Sequence, residues 1–338
     1  NQTQIPKIIT DNIYQKKIDK IIITGMGTCY TAGVAVSYYM REMLSLTKHS
    51  IIVETTIASE GSGFYLENDM SNTLVIVIAQ SGTTIDTNVY VKMAKDRGAL
   101  SLAIANKREG DITFIVDGTL YIGEGRDIEI SVPSTKTYTA QVILGYILSL
   151  YLVSKISKTP TVKRKLNEEV KKLIDSPLLI NEALSNIEKQ NKITNLDNNF
   201  LKYKSWLVSF DSSENSVCAN EIRIKLSENC YQSIPYLEID KIIQYGVSNS
   251  YITVITNHNL EHIEEKINKL LKSNNYIICI SPDSKIIKSK KTEKILNNSN
   301  FYNLTFPKAK MYYSFLPTII TGQLLSYQLA ILMDKRSI

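Results

Sequence analysis

The chain predicts an α/β fold made of two tandem units, each a parallel sheet with helices on both faces. Three observations predict it. Short apolar, β-branched runs of strand length alternate with helical patterns, and that alternation gives parallel sheets covered on both sides. The 338 residues fill two domains of ordinary size, each with enough chain to bury a core. The strand–helix order of the first half recurs in the second without its sequence, as in a duplicated unit that has diverged.

In the first half the strand runs are 20–24, 51–54, 74–79, 101–104 and 113–116, with helical patterns at 32–46, 85–97 and 135–155. Twelve of the 14 glycines lie at or before Gly145, so the sharp turns belong to this half. The first unit is expected over 1–160. Residues 161–200, rich in Lys, Asn and Glu and free of strand signals, read as a helical connector. The second unit, 201–338, carries strands at 206–210, 251–256, 276–280 and 301–304 and helices at 216–228, 260–271 and 315–333.

Composition removes several function classes. A 43% apolar and 21% charged chain is globular. Its net charge of +6 is scattered, and the densest cluster, Lys285, Lys288, Lys290 and Lys291, has no interleaved aromatics; a solvated loop is expected, not a nucleic-acid face. The longest apolar run, 142–153, falls well short of the ~20 residues that span a bilayer and reads as a buried helix. Cys29, Cys218, Cys230 and Cys279 show no CxxC spacing, so free thiols in a reducing cytoplasm are expected. The chain begins at Asn1 without an initiator Met and reads as a processed or excised piece.

The chemistry lies in three turns. Residues 74–79 open into Gln80-Ser81-Gly82-Thr83-Thr84 at a helix start, where unpaired N–H groups and the helix dipole favour an anion. No P-loop Lys follows the glycine and no GxGxxG precedes it, so a monophosphate ester fits better than a nucleotide. Two further turns, 25–30 and 132–137, carry Thr28 and Cys29, and Val132 and Ser134. Each alone has a structural explanation; Pro133-Ser134-Thr135 could simply cap a helix. Three in order, at the carboxyl ends of one sheet, make a more specific signal.

The stretches GTCYTAG (27–33), IASE (57–60), AQSGTTIDT (79–87) and VPSTKTYTAQ (132–141) resemble the sugar isomerase (SIS) family, in the form of the isomerase half of glucosamine-6-phosphate synthases. The resemblance implies two SIS-type units of flavodoxin-like, three-layer build. It implies that Thr28, Gln80, Ser81, Thr84 and Ser134 hold the phosphate or hydroxyls of fructose 6-phosphate, with a backbone contact at Val132. Cys29 stands where the family often has Ser, and a thiol donates a weaker hydrogen bond.

In the second half, Glu221, Lys225 and Glu228 match the family's E-x-x-x-K-x-x-E helix. On spacing alone this is an ordinary ion-pair row on one helix face. By the resemblance it is the catalytic set of an aldose–ketose isomerase. Glu228 would move a proton between C1 and C2 through an enediol-type intermediate, Lys225 would steady the oxyanion, and Glu221 would orient Lys225. The product implied is glucosamine 6-phosphate, with no metal and no cofactor. The implied partners are a glutaminase domain outside these residues and a second copy of the chain, packed near helix 138–153.

Two departures stand out. Gln244 occupies the place of the family's ring-opening His, and Lys335 comes too early for the family's tail Lys. His49, His258 and His262 match no motif; the i, i+4 pair His258 and His262 reads as exposed polar residues rather than a metal pair. An amino-sugar-phosphate deaminase and a catalytically silent phosphosugar-binding module are the alternative readings.

Overall fold

A computed structural model describes residues 5–123, 129, 133–190, 198–283, 289–309 and 311–334. The chain divides into two compact units, Asn1–Ile174 and Asp175–Ile338. The first holds α1 (Lys7–Tyr14), β1 (Lys20–Gly25), α2 (Thr28–Ser45), β2 (Ile52–Ile57), α3 (Ala58–Glu60) and β3 (Thr73–Ala79). It continues with α4 (Ile85–Asp96), β4 (Leu100–Ala105), α5 (Ile112–Ile115), β5 (Gly118–Tyr121), α6 (Lys136–Ile156) and the start of α7 (Pro160–Gln190). The segment 161–200 thus contributes most of α7, and the division between units falls inside that helix.

All five strands are parallel, in the order β2-β1-β3-β4-β5. Burial follows position. Every residue of β3, near the middle, is buried, as in a strand covered by helices on both faces. Edge strand β2 keeps exposed residues at Ile52, Glu54 and Ile57.

The second unit holds β6 (Ser205–Phe210), α8 (Asn215–Cys230), β7 (Tyr236–Glu238), α9 (Ile239–Gln244) and β8 (Ser250–Ile255). Then follow α10 (Leu260–Lys272), β9 (Tyr276–Pro282), α11 (Lys290–Leu296), β10 (Phe301–Phe306) and α12 (Met311–Asp334). Its sheet is again parallel, in the order β10-β9-β8-β6-β7. Counted within the unit from the other edge, that is second, first, third, fourth, fifth strand. The first unit has the same order, so the expected duplication is visible in topology.

A packing detail repeats as well. In the first unit α6 lies against α2, and a Cβ built on Gly145 would sit 2.2 Å from Cγ2 of Val36. In the second, α12 lies against α8, and a Cβ on Gly322 would sit 2.3 Å from Cγ1 of Ile222. Each unit thus uses a glycine in the helix after its fifth strand to admit the helix after its first strand. Helices α6 and α12 are long and apolar enough to compare with membrane spans, but about half of each apolar window, 50% and 56%, is buried inside the fold.

One predicted strand is corrected. Residues 113–116 are not a strand; they lie in and just after α5, and the edge strand is β5, which pairs Gly118–Tyr121 with Leu102–Ala105. The β-branched run was misleading because local bonds start a helical turn there. The Thr113 hydroxyl donates to the Gly110 carbonyl at 2.8 Å, and its N–H donates to the same oxygen at 2.9 Å. Elements α1, α3, β7, α9 and α11 are not predicted; Lys290 and Lys291, expected in a solvated loop, begin α11.

Candidate functional site

In the order second-first-third, the chain leaves β1 toward one side of the sheet and β3 toward the other. The crevice outside the carboxyl ends of β1 and β3 is therefore the topological switch point, where open α/β sheets bind ligands. Both hydroxyl-rich turns sit on that edge. β1 ends at Gly25 and α2 begins at Thr28; β3 ends at Ala79 and α4 begins at Ile85. Thr28 and Cys29 are the first two residues of α2, and Thr84 is the N-cap of α4. Neither helix start has a side-chain cap, the Cys29 N–H donates to the Met26 carbonyl at 3.1 Å, and the first turn of α4 carries the exposed Asp86.

The 80–84 turn is held from below. Gly82 has φ of +72°, and a Cβ there would stand 2.9 Å from Cα of Gly110. Its carbonyl accepts from the Ile112 N–H at 2.9 Å and from Asn88 Nδ2 at 3.4 Å. Ser81 and Thr83 share a hydroxyl–hydroxyl bond of 2.9 Å, and Thr83 and Thr84 are exposed. The cradle is thus a fixed backbone that presents neutral donors.

The third turn joins the other two. Gln141, on α6, donates to the Cys29 sulfur at 3.5 Å, so the start of α2 is tied to α6. Gln80 Nε2 reaches Glu129 Oε2 at 3.5 Å, and Glu129 Oε1 accepts from the N–H groups of Thr135 at 2.9 Å and Thr137 at 3.1 Å. The N-cap Thr135 makes no capping bond of its own; the cap of α6 is Glu129. Ser134 is buried beside it, and Val132 lies outside the described residues. Burial works against ionisation of Glu129, but the bonds from Thr137 and from the Thr135 and Thr137 amides outweigh it and hold its carboxyl below the usual range. Sequence reasoning missed Glu129, since a cap six and eight residues away in sequence has no local pattern.

In the second unit Glu221, Lys225 and Glu228 share one face of α8. Lys225 Nζ lies 2.9 Å from Glu228 Oε2 and 3.4 Å from Glu221 Oε1. Lys225 and Glu221 are 1% and 0% exposed, Glu228 30%. This is no solvated ion-pair row. Two carboxylates converge on a buried ammonium, and only the last carboxylate reaches solvent. Such a set can pass a proton at Glu228 while Lys225 offers positive charge to a developing oxyanion.

Gln244 ends α9 and is exposed. His258 Nδ1 pairs with Asp211 Oδ2 at 2.9 Å and its ring stacks on His262 at 4.3 Å. Asp211 also accepts from Thr256 Oγ1 at 2.5 Å and Asn215 Nδ2 at 2.6 Å. It follows β6, and Thr256 follows β8, so this group occupies the second unit's own switch point. No cluster of three or more His, Cys, Asp or Glu able to hold a metal occurs among the described residues. All four cysteines are free, and burial pushes the thiols of Cys218, Cys230 and Cys279 upward, away from nucleophilic use.

Residues 12–151 match the SIS domain. The first unit carries a SIS domain, and both units have the SIS-type fold. The chain also has individual relatives. It is 32% identical over 259 residues to the glutamine–fructose-6-phosphate aminotransferase [isomerizing] of Fusobacterium nucleatum, a match covering 75% of this chain and 40% of that protein. The chain therefore spans less than half of that relative's length. Among solved structures, the C-terminal domain of glucosamine-fructose-6-phosphate aminotransferase from Francisella tularensis aligns with a TM-score of 0.79 at 20% identity, covering 97% of this chain and 88% of that one. The glucosamine-6-phosphate deaminase of Thermotoga maritima aligns with 0.66 at 15% identity, covering 97% and 92%.

Proposed function

We propose that this chain is the isomerase part of an enzyme like glutamine–fructose-6-phosphate aminotransferase, which turns fructose 6-phosphate and ammonia into glucosamine 6-phosphate and water. The observation that carries this reading is the switch point of the first unit. It has two uncapped helix starts and a rigid turn of neutral donors, and neither turn carries a carboxylate. Thr28, Gln80, Ser81, Thr84 and Ser134 hold the phosphosugar; Cys29 gives a weaker contact, and Val132 a backbone one.

Proton transfer is assigned to α8. Ammonia adds to the C2 carbonyl and water leaves to give an imine. Glu228 then takes the proton from C1 and returns it at C2 through an enediol-type (enolamine) intermediate, which leaves the aldehyde at C1. Lys225 stabilises the oxyanion that forms in between, and Glu221 orients Lys225. No residue of this set needs a metal. In this reading the ammonia comes from a glutaminase domain outside these residues, and the protein works in the cytoplasm as a homodimer.

The test is an assay of glucosamine 6-phosphate formation from fructose 6-phosphate with ammonia supplied directly. Turnover that Glu228→Gln abolishes, while phosphosugar affinity is kept, supports the proposal. A second reading, a binding module without turnover, is favoured by exposed Gln244, since an amide cannot exchange protons for ring opening. Tight phosphosugar binding with no turnover, and no ammonia release from glucosamine 6-phosphate, would select that reading.

A further inference from the structure

Among the helices that begin on the carboxyl edge of the first sheet, α2, α4 and α6 have N-termini that are not equivalent. The N-caps of α2 and α4, Gly27 and Thr84, make no side-chain capping bond. The N-terminus of α6, a helix of 21 residues, is filled by the chain itself. Glu129 Oε1 takes the Thr135 and Thr137 amides at 2.9 and 3.1 Å, with the Thr135 hydroxyl at 3.4 Å. Its second oxygen faces Gln80 Nε2, a residue of the cradle, at 3.5 Å. The start of α4 is thus uncapped, with Asp86 of its first turn exposed, while the start of α6 is capped by a built-in carboxylate.

We propose that Glu129 is a specificity-determining residue that limits this site to sugars carrying a single phosphate. The proposal rests on the phosphosugar reading of the cradle. A phosphate at the α4 end meets neutral donors and an open helix start. A second phosphate, on the far carbon of the same sugar, would meet a carboxylate that already holds the α6 amides. It would suffer like-charge repulsion in a partly desolvated site and find those donors taken. The sugar end toward Glu129 must therefore be uncharged, and a carboxylate oxygen there can accept from a hydroxyl.

Calorimetric titration of the whole chain with fructose 6-phosphate and with fructose 1,6-bisphosphate, at low salt, tests this through the ratio of the two dissociation constants. Wild type should favour the monophosphate. Glu129→Gln keeps the length and an acceptor oxygen but removes the charge, and should move the ratio toward the bisphosphate by about tenfold or more. Glu129→Asp keeps the charge and should keep the preference. A purely structural cap would weaken both ligands together and leave the ratio unchanged, and that result overturns the proposal. It is equally overturned if Glu129→Asp shifts the ratio as far as Glu129→Gln does. Failure of wild type to bind either ligand would instead bring down the phosphosugar reading itself, and this inference with it.

Discussion

The two units share one topology and treat charge at its switch point in opposite ways. After β1 and β3 the first unit places Thr28, Cys29, Gln80, Ser81, Thr83 and Thr84, all neutral. After β6 and β8 the second places Asp211, 3% exposed, with Thr256, Asn215 and His258 gathered on its oxygens. The fold provides a crevice in both cases; the side chains decide what can enter. A buried carboxylate satisfied by its own neighbours repels a phosphate and offers it few free donors. The second unit has instead concentrated its charge along α8, where Lys225 is enclosed between two carboxylates. One copy of the duplicated fold is suited to holding an anion, and the other to moving a proton.

The largest effect should come from breaking the charged set. Lys225→Met leaves Glu221, which is fully buried, without its ammonium partner. Losing one member of a buried ion pair costs about 3–5 kcal/mol, because the remaining charge is stranded. Urea denaturation should show the transition of the second unit moving to lower denaturant by that amount. The double variant Lys225→Met with Glu221→Gln should recover much of it. A loss below about 1 kcal/mol in the single variant would mean that the row is solvated and contributes as a surface pair does.

Next comes a transplant of the contrast. Ser81→Asp puts a carboxylate into the turn after β3, as the second unit has Asp211 directly after β6. It should abolish measurable phosphosugar binding, since the charge lies within the cradle itself. Ser81→Ala removes a donor without adding charge and should cost only about 1–3 kcal/mol of binding free energy. The order of the two variants is the informative result. If Ser81→Asp binds as well as Ser81→Ala, the phosphate lies elsewhere, and the comparison between switch points loses its meaning.

Most of this arrangement is legible in the sequence, for reasons that differ by region. The first unit's turns were readable because a glycine-rich, hydroxyl-rich turn between a buried strand and a helix is a local pattern. The helix of Glu221, Lys225 and Glu228 was readable as a row, but spacing cannot report burial. Whether that face meets water depends on packing against other elements. The false strand at 113–116 came from β-branched composition, which the Thr113–Gly110 bonds override. Asp211 carried a faint signal, an acidic residue directly after a strand. Glu129 carried none. Its role comes from bonds to amides six and eight residues further along the chain, and Pro133-Ser134-Thr135 offered a plausible cap in its place.

The smallest effect concerns that substitute cap, and it is a matter of pH. The Glu129 carboxyl is held below its usual range by the Thr137 and Thr135 bonds, against the pull of burial. A carboxylate with a depressed folded-state pKa adds stability above its unfolded pKa and loses it as pH falls through the folded one. The contribution should therefore be complete at neutral pH and vanish on acidification through and below the ordinary carboxylate range. Asp117, also depressed by Lys95 and Ser101 despite its burial, titrates in the same window, so the wild-type curve alone is ambiguous. The difference between wild type and Glu129→Gln isolates the cap. The two melting temperatures should differ at neutral pH and converge in acid. A gap that stays constant with pH would show that the α6 cap works through shape alone, and that charge at this edge of the first unit does not matter to its stability.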